Sequence, residues 1–334
     1  MPWKGEKDPY RIWLSEIILQ QTRVEQGWPY YERFTSQYPD VLQLAAAADE
    51  EVFRLWQGLG YYARCKNMLA AARQVAAVHN GRFPDTYEGI VSLKGVGAYT
   101  AAAIASFAFN LPHAVLDGNV YRVLSRYFNI DTPIDTTAGK KLFTALADEM
   151  LPAGQAAEFN QSIMDFGAVV CKPQSPDCEK CPLNSHCEAY SAGTVSALPV
   201  KSKKLKIKKR YFNYLLMEHN GHVYIHKRME KDIWQNLHEL VLLETPEETD
   251  PAALVKLPAF KKMVGKQAFT ITEVSPPLKQ QLTHQTIFAR FIHLQFAKAL
   301  PPLEGFTAVP LRNLDQYAFP KTMVSYLTGL GWIS

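Results

Sequence analysis

Two carboxylates set among apolar residues are the groups with which this sequence can do chemistry. Asp117 lies 20 residues after Gly97 and 22 after Gly95, in a stretch that opens with the turn Leu93-Lys94-Gly95-Val96-Gly97. Glycine tolerates positive φ and the close approach of another backbone. The alanine-rich run 99–109 follows at helical spacing, and the first N–H groups of such a helix lack intrahelical partners. Turn and helix start together make a site for one phosphate. Asp117-Gly118-Asn119 then opens a second helical run, 120–128. One helix therefore joins a grip for a nucleic-acid backbone to a nearby anion. The same residues also spell an ordinary helical hairpin with Asp117 as its N-cap.

The second carboxylate, Glu16, belongs to residues 10–23, YRIWLSEIILQQTR, which read as a helix. On its wheel Glu16 neighbours Ile12, Trp13 and Leu19, and Gln20 and Arg23 complete the face. A carboxylate among large apolar groups loses hydration and holds its proton more tightly. That suits a general acid working near neutral pH. The competing reading is a glutamate at the helix edge, paired with Arg23.

A third constellation is Cys171, Cys178, Cys181 and Cys187, spaced C-x6-C-x2-C-x5-C, with Pro173, Pro176 and Pro182 shaping the loop. Four thiolates within 17 residues can surround one metal centre. Four-cysteine zinc sites more often show two C-x2-C pairs, and ligation of a [4Fe–4S] cluster fits at least as well. Cys65 is left over and reads as an ordinary thiol.

The elements that must position these groups are helical up to about residue 190. Runs 49–57, 66–78, 140–150 and 158–169 carry helical spacing, and no convincing strand precedes the cysteines. Gly58-Leu59-Gly60-Tyr61-Tyr62-Ala63-Arg64 is a further glycine turn that presents two aromatics and an arginine to a base stack. With 334 residues the chain has room for about two domains. No apolar run is long enough to span a bilayer, and five cysteines do not suggest a secreted disulfide framework. A soluble, intracellular (cytoplasmic) protein is the expectation. Net charge is only +4, and seven basic residues fall in 201–210; the remainder balances at 29 minus 32, or −3. Any case for nucleic acid is therefore local.

Taken together and in order, WLSEIILQQT, GLGYYAR, LKGVGAYT, LDGNV and the four cysteines resemble the helix-hairpin-helix DNA glycosylases, specifically the MutY-type adenine glycosylases, over almost all of residues 1–190. The resemblance implies an all-α helix-hairpin-helix module with a [4Fe–4S] loop at 171–187. It implies Glu16 as the acid that protonates the adenine ring, Asp117 as the electrostatic carboxylate, and Tyr99 and Asn119 as active-site helpers. Gly95, Val96 and Gly97 match the phosphate-binding hairpin. Gln21 and Tyr61 match residues inserted into the base stack, with Leu19 and Arg64 beside them on the DNA-facing side. Trp3 and Gln161 match the neighbourhood of the flipped adenine. The implied partner is duplex DNA carrying adenine opposite 8-oxoguanine or guanine, bound by a monomer. The related endonuclease III carries a lysine in its hairpin for strand cleavage; here the hairpin reads Gly-Ala-Tyr-Thr, which implies base removal alone. Two departures stand out. The family has a further helix ahead of the segment matched by Met1-Pro2-Trp3, and usually a proline where this chain has Lys94.

Residues 191–210 read as a basic linker. From 211 to 334 the texture changes to α+β. Runs 211–217 and 222–227 flank Asn220-Gly221, a strong hairpin signal; 267–273 and 286–296 also read as strands, and 252–264 and 321–330 as helices. In this position the domain resembles the Nudix-like domain that reads 8-oxoguanine. A Nudix hydrolase needs an Arg-Glu-x-x-Glu-Glu helix, and no arginine here is followed directly by glutamate, so binding without hydrolysis is expected. The family reads the lesion with a Phe-Ser-His loop; the nearest match is Leu282-Thr283-His284, giving Thr283 and His284 as the lesion-reading residues.

Overall fold

The computed structural model describes residues 5–202 and 207–333, so Trp3 lies outside the described residues. The chain forms two compact units, Met1–Ala47 with Lys66–Lys204, and Ala48–Cys65 with Leu205–Ser334. Among the described residues no helix is long and apolar enough to cross a membrane.

The described part of the first unit is helical and without strands. Helix α1 (Pro9–Leu19) starts where Asp8 accepts a hydrogen bond from Tyr10 N at 2.9 Å, with Pro9 pre-set for the first turn. It ends earlier than the 10–23 pattern predicts. Gln20 leaves helical geometry at ψ 113° and Gln21 turns left-handed at φ 57°. Arg23 therefore does not share the Glu16 face but precedes α2 (Val24–Gln37). Then come α3 (Val41–Ala46), α4 (Asp49–Leu55), which belongs to the second unit, and α5 (Tyr62–His79). After α6 (Tyr87–Val91) the Gly95–Gly97 turn leads into α7 (Ala98–Phe109). This helix is buried through Thr100–Ser106, so alanines serve it twice, by propensity and by allowing close neighbours. Around it stand α8 (Gly118–Tyr127), α9 (Thr137–Glu149) and α10 (Ala156–Val169). They share a core that includes Ala103, Leu124, Phe143 and Met164, each large side chain contributing about 1.5–3 kcal/mol by burial. The short α11 (Glu188–Ser191) lies against α8.

The second unit is built on a mixed sheet. Its centre is β1 (Lys208–His219), which takes up the end of the basic run expected to be linker. Arg210 is fixed there by Glu244 at 2.7 Å and Asp232 at 2.8 Å. Asn220 and Gly221 turn the chain into β2 (His222–Lys227) with φ 47° and 71°, the left-handed pair that a two-residue hairpin requires. Next are β3 (His238–Glu239) and β4 (Val241–Thr245), the latter antiparallel to β1. The helix expected over 252–264 is two, α12 (Pro251–Leu254) and α13 (Pro258–Val264). Pro258 lacks an N–H and holds Leu257 extended, which breaks the run. Strands β5 (Phe269–Val274) and β6 (Leu278–Gln281) both pair antiparallel with β7 (Gln285–Phe296), which runs parallel to β1. Strand β8 (Thr307–Pro310) pairs with β2, and α14 (Lys321–Gly329) follows. Leu215, Ile292 and Phe296 of the sheet bury Leu254 and Phe260 of α12 and α13. The architecture is an all-α region followed by an α+β region, as the sequence predicts.

Candidate active site

Helices α1, α7 and α8 bring the two carboxylates into electrostatic reach of each other. Glu16 sits in the middle of α1 and is only 6% exposed. Its partner is not Arg23 but Tyr99, in the first turn of α7, whose O–H donates to Glu16 Oε2 at 2.7 Å. Burial pushes the Glu16 carboxyl up to about 7; the Tyr99 hydrogen bond pulls it down and the charge of Asp117 raises it again. The Tyr99 hydroxyl is itself pushed well above the usual phenol range, first by burial and then by Glu16.

Asp117 is the N-cap of α8, so the cap reading and the catalytic reading describe one residue. Its Oδ1 accepts from Asn119 N at 2.8 Å and Val120 N at 2.7 Å, and its Oδ2 from Asn119 Nδ2 at 2.7 Å. Asn119 is oriented in turn by Arg122, whose Nη2 donates to Asn119 Oδ1 at 2.8 Å and to Gly167 O at 2.6 Å. Arg122 Nε donates to Cys171 O at 2.7 Å. Gly167 of α10 lets α8 approach: a Cβ there would stand 2.7 Å from Asn119 Cβ. The loop before Asp117 is held by buried Asn160, which accepts from Val115 N at 3.0 Å and donates to His113 O at 2.9 Å.

A cavity of about 280 Å³ opens beside Glu16, lined among others by Ile12, Ser15, Phe107, Gln161 and Met164. That is at the low end of small-molecule sites. Gln161, placed near the flipped base by resemblance, therefore does share a cavity with Glu16.

The expected DNA-facing residues occupy turn tips and helix starts. Gly95 takes φ 75°, and a Cβ on it would lie 2.5 Å from Asn67 Cβ. Gly97 caps α7 with no side-chain cap, and nothing lies within 4 Å of where its Cβ would be. The open N–H groups are those of the first turn of α7; Val96 is buried and its own N–H bonds Leu93 O at 3.1 Å. Leu19 ends α1, and a Cβ on Gly27 would lie 2.7 Å from its Cδ2. Gln21 is exposed on a left-handed backbone, φ 57°. In the second unit Tyr61 is likewise left-handed, φ 50°, and 48% exposed. Such backbone in non-glycine residues is costly and clusters at functional sites. Arg64 lies over the rings of Trp56 and Tyr61, at 5.3 and 5.2 Å, and burial lowers its guanidinium to about 10; it shapes this turn from behind. Thr283 and His284 are exposed in the three-residue loop between β6 and β7. The Thr283 hydroxyl shares a hydrogen bond with the Tyr61 hydroxyl at 2.7 Å, joining two residues singled out for separate reasons.

Cys171, Cys178, Cys181 and Cys187 line one cavity with Arg126 and Leu183. Arg126 is buried, donates to Cys171 Sγ at 3.4 Å and fastens the loop through Lys172 O at 2.7 Å. The Cys178 thiol is pushed up by burial and then by the other three cysteines. Among the described residues no three His, Cys, Asp or Glu side chains are arranged to hold a single metal ion. Sequence reading missed Arg122, Arg126, Asn160 and Gly167. The signal was available as spacing: two arginines four apart just after Asp117, and Asn160, Met164 and Gly167 on one face of α10.

Comparison with known proteins agrees with this geometry. A model of the HhH-GPD superfamily base excision DNA repair proteins matches residues 14–147, and the NUDIX domain model matches residues 213–329. The adenine DNA glycosylase of Buchnera aphidicola subsp. Baizongia pistaciae is 37% identical over 238 residues, covering 71% of this chain and 67% of that protein. That of Mus musculus is 41% identical over 212 residues, 60% of this chain and 41% of the mouse protein. Among solved structures, a thermostable thymine-DNA glycosylase superposes with a TM-score of 0.54 at 32% identity, covering 57% of this chain and 88% of that one. The stretch that carries Glu16, Tyr99 and Asp117 lies inside the superfamily match, and the identity extends well beyond it: the chain belongs to the adenine DNA glycosylase family.

Proposed function

We propose that this chain is a base-excision repair enzyme that hydrolyses the N-glycosidic bond of adenine opposite 8-oxoguanine or guanine in duplex DNA, acting as a monomer. The observation that carries the reading is Glu16, a buried acid with its proton held to about pH 7, at the wall of a cavity sized for one base. Adenine leaves poorly as an anion. Glu16 gives its proton to a ring nitrogen, the C1′–N9 bond breaks with its electron pair going to the base, and the deoxyribose develops positive charge. Asp117 stabilises that charge from a position fixed by three N–H donors. Water then adds to C1′ and gives its proton to the Glu16 carboxylate, restoring the acid. The base must leave the stack first, and a mismatched base costs least to extract. The open first turn of α7 serves a backbone phosphate, Gln21 and Tyr61 wedge the stack, and Thr283 and His284 read 8-oxoguanine. With Tyr99 where a lyase would carry lysine, the backbone stays intact.

Cys171, Cys178, Cys181 and Cys187 would hold a [4Fe–4S] cluster, which supplies a cross-link of the loop and no step of excision. Supporting a shared metal centre, the four thiols line one common cavity, and their single C-x2-C pair with wider flanking gaps fits a four-cysteine cluster at least as well as zinc. Anaerobically purified protein is expected to be brown, with about four irons per chain; one zinc in a colourless preparation would refute the assignment.

The function is tested by incubating the chain with duplexes carrying adenine opposite 8-oxoguanine, adenine opposite guanine, or thymine opposite guanine. Strand breaks at adenine are expected only after heating in alkali. Breakage at thymine alone would overturn the base assignment, and breakage at neutral pH with a borohydride-trapped intermediate would overturn the monofunctional chemistry.

A further inference from the structure

A glutamine amide offers a carbonyl acceptor at one end and an NH2 donor at the other. Which end faces a bound purine decides which purine is read. Adenine carries an amine at C6, and hypoxanthine a carbonyl at the same position. Gln161 lines the cavity beside Glu16. One turn along α10, Asp165 Oδ1 accepts from Gln161 Nε2 at 3.0 Å. A carboxylate accepts and does not donate, so it engages only the NH2 end of the amide. The carbonyl end is thereby left for the base. Both residues stand on a single helix of 14 residues, so the i, i+4 relation is rigid.

We infer that Asp165 is a positioning residue that fixes the Gln161 amide with its oxygen toward the base, and so sets the preference for a 6-amino over a 6-oxo purine. Asp165 does not line the cavity; it acts through Gln161. With Asp165 removed the amide can turn over and set donor against donor at the adenine amine, while gaining a match to a 6-carbonyl. The inference rests on the adenine reading above.

The test is the ratio of single-turnover excision rates for adenine and hypoxanthine, each opposite 8-oxoguanine in the same duplex. Asp165→Ala is expected to lower the ratio roughly three- to tenfold, the worth of one hydrogen bond. Asp165→Asn, whose amide can donate to the Gln161 oxygen as well as accept from its NH2, is expected to lower the ratio as well while keeping the side chain's size. In a Gln161→Ala background, Asp165→Ala is expected to leave the ratio where Gln161→Ala put it. Should Asp165→Ala fail to fold, Asp165→Ser, too short to reach the amide, reads the same quantity. Equal slowing on both bases, with the ratio unchanged, would show a merely structural role and overturn the inference while adenine excision itself stands. A parent chain that removes no adenine would overturn the function and this assignment with it.

Discussion

Replacing Glu16 with glutamine is expected to abolish most excision and at the same time stabilise the protein at alkaline pH. In the folded chain Glu16 keeps its proton to about pH 7, against an ordinary value of 4.5. Between those two values the native state binds a proton that the unfolded chain has released, so stability falls as pH rises through this window and is level above it. At about 1.4 kcal/mol per pH unit, the full loss is roughly 3 kcal/mol, borne by the native protein wherever it works with Glu16 ionised. Glutamine cannot ionise and escapes that loss. Its oxygen still accepts from the Tyr99 hydroxyl, and its buried NH2 costs about 1 kcal/mol for lack of a fitted partner. The net gain at pH 8 is about 2 kcal/mol, or roughly 4–8 °C in Tm for a unit of this size. Near pH 4.5 the advantage disappears, because the parent is then protonated when folded. Excision is expected to fall about 10²–10⁴-fold, the range of general acid catalysis, with DNA affinity nearly intact. The measurements are thermal or urea unfolding at pH 8 and 4.5, and single-turnover excision. Near-parental excision by Glu16→Gln would refute its role as the acid. A stability difference that does not change with pH would refute the raised proton affinity.

Tyr99→Phe removes the hydrogen bond that holds the Glu16 carboxyl down. The alkaline limb of the excision pH profile is expected to move up by about one to two pH units, as befits a bond to a charged group; an unmoved limb would contradict it. Gly167→Ala gains about 1 kcal/mol of helix propensity, yet its Cβ would stand 2.7 Å from Asn119 Cβ and 3.0 Å from Asn119 O. Net destabilisation of roughly 1–3 kcal/mol by overpacking, with slower excision, is the expected result in unfolding and rate measurements. Thr283→Ala with His284→Ala is expected to reduce the preference for 8-oxoguanine over guanine about tenfold while leaving excision opposite guanine nearly unchanged; parental discrimination in competing duplexes would exclude this loop as the reader.

The two carboxylates proposed to bear the chemistry were legible because their surroundings are local in sequence. The neighbours of Glu16 at positions 12, 13 and 19 follow from helical spacing alone, and burial of that face is what raises its proton affinity. Asp117 as a cap follows from Asp-Gly-Asn ahead of a helical run. What spacing did not reveal was the partner of Glu16. Tyr99 is 83 residues away, and Arg23, the near alternative, was lost when α1 stopped at Leu19. The stop depends on Gln21 turning left-handed, which no residue type at 20–22 announces. The hairpin at Asn220-Gly221 was legible because two residues specify it. The split of 252–264 was written in Pro258 and was outweighed by the apolar period around it. Buried arginines are the least legible of all. Arg122 and Arg126 look like surface residues in composition, and acceptors distant in sequence, chiefly backbone carbonyls at 167–173 and 195–198, together with Asn119 Oδ1 and Gly118 O, make their burial tolerable.

The two carboxylates are held by different kinds of structure, and the difference matches the different roles proposed for them. Asp117 receives its N–H donors from the first turn of α8 and from Asn119, so its orientation is fixed by backbone that α8 cannot surrender without fraying. Glu16 receives one phenolic O–H hydrogen bond, from Tyr99, so either protonation state can be accommodated by that single contact. In the proposed roles, the anion that must not move stands at a helix start, and the acid that must give up a proton stands mid-helix with one adjustable partner. Arg122 ties the first of these arrangements to the cysteine loop, since the guanidinium that orients Asn119 also holds Cys171 O. Displacing the backbone at 171 therefore loosens Asn119, and with it one of the three N–H donors that fix Asp117, without touching Glu16.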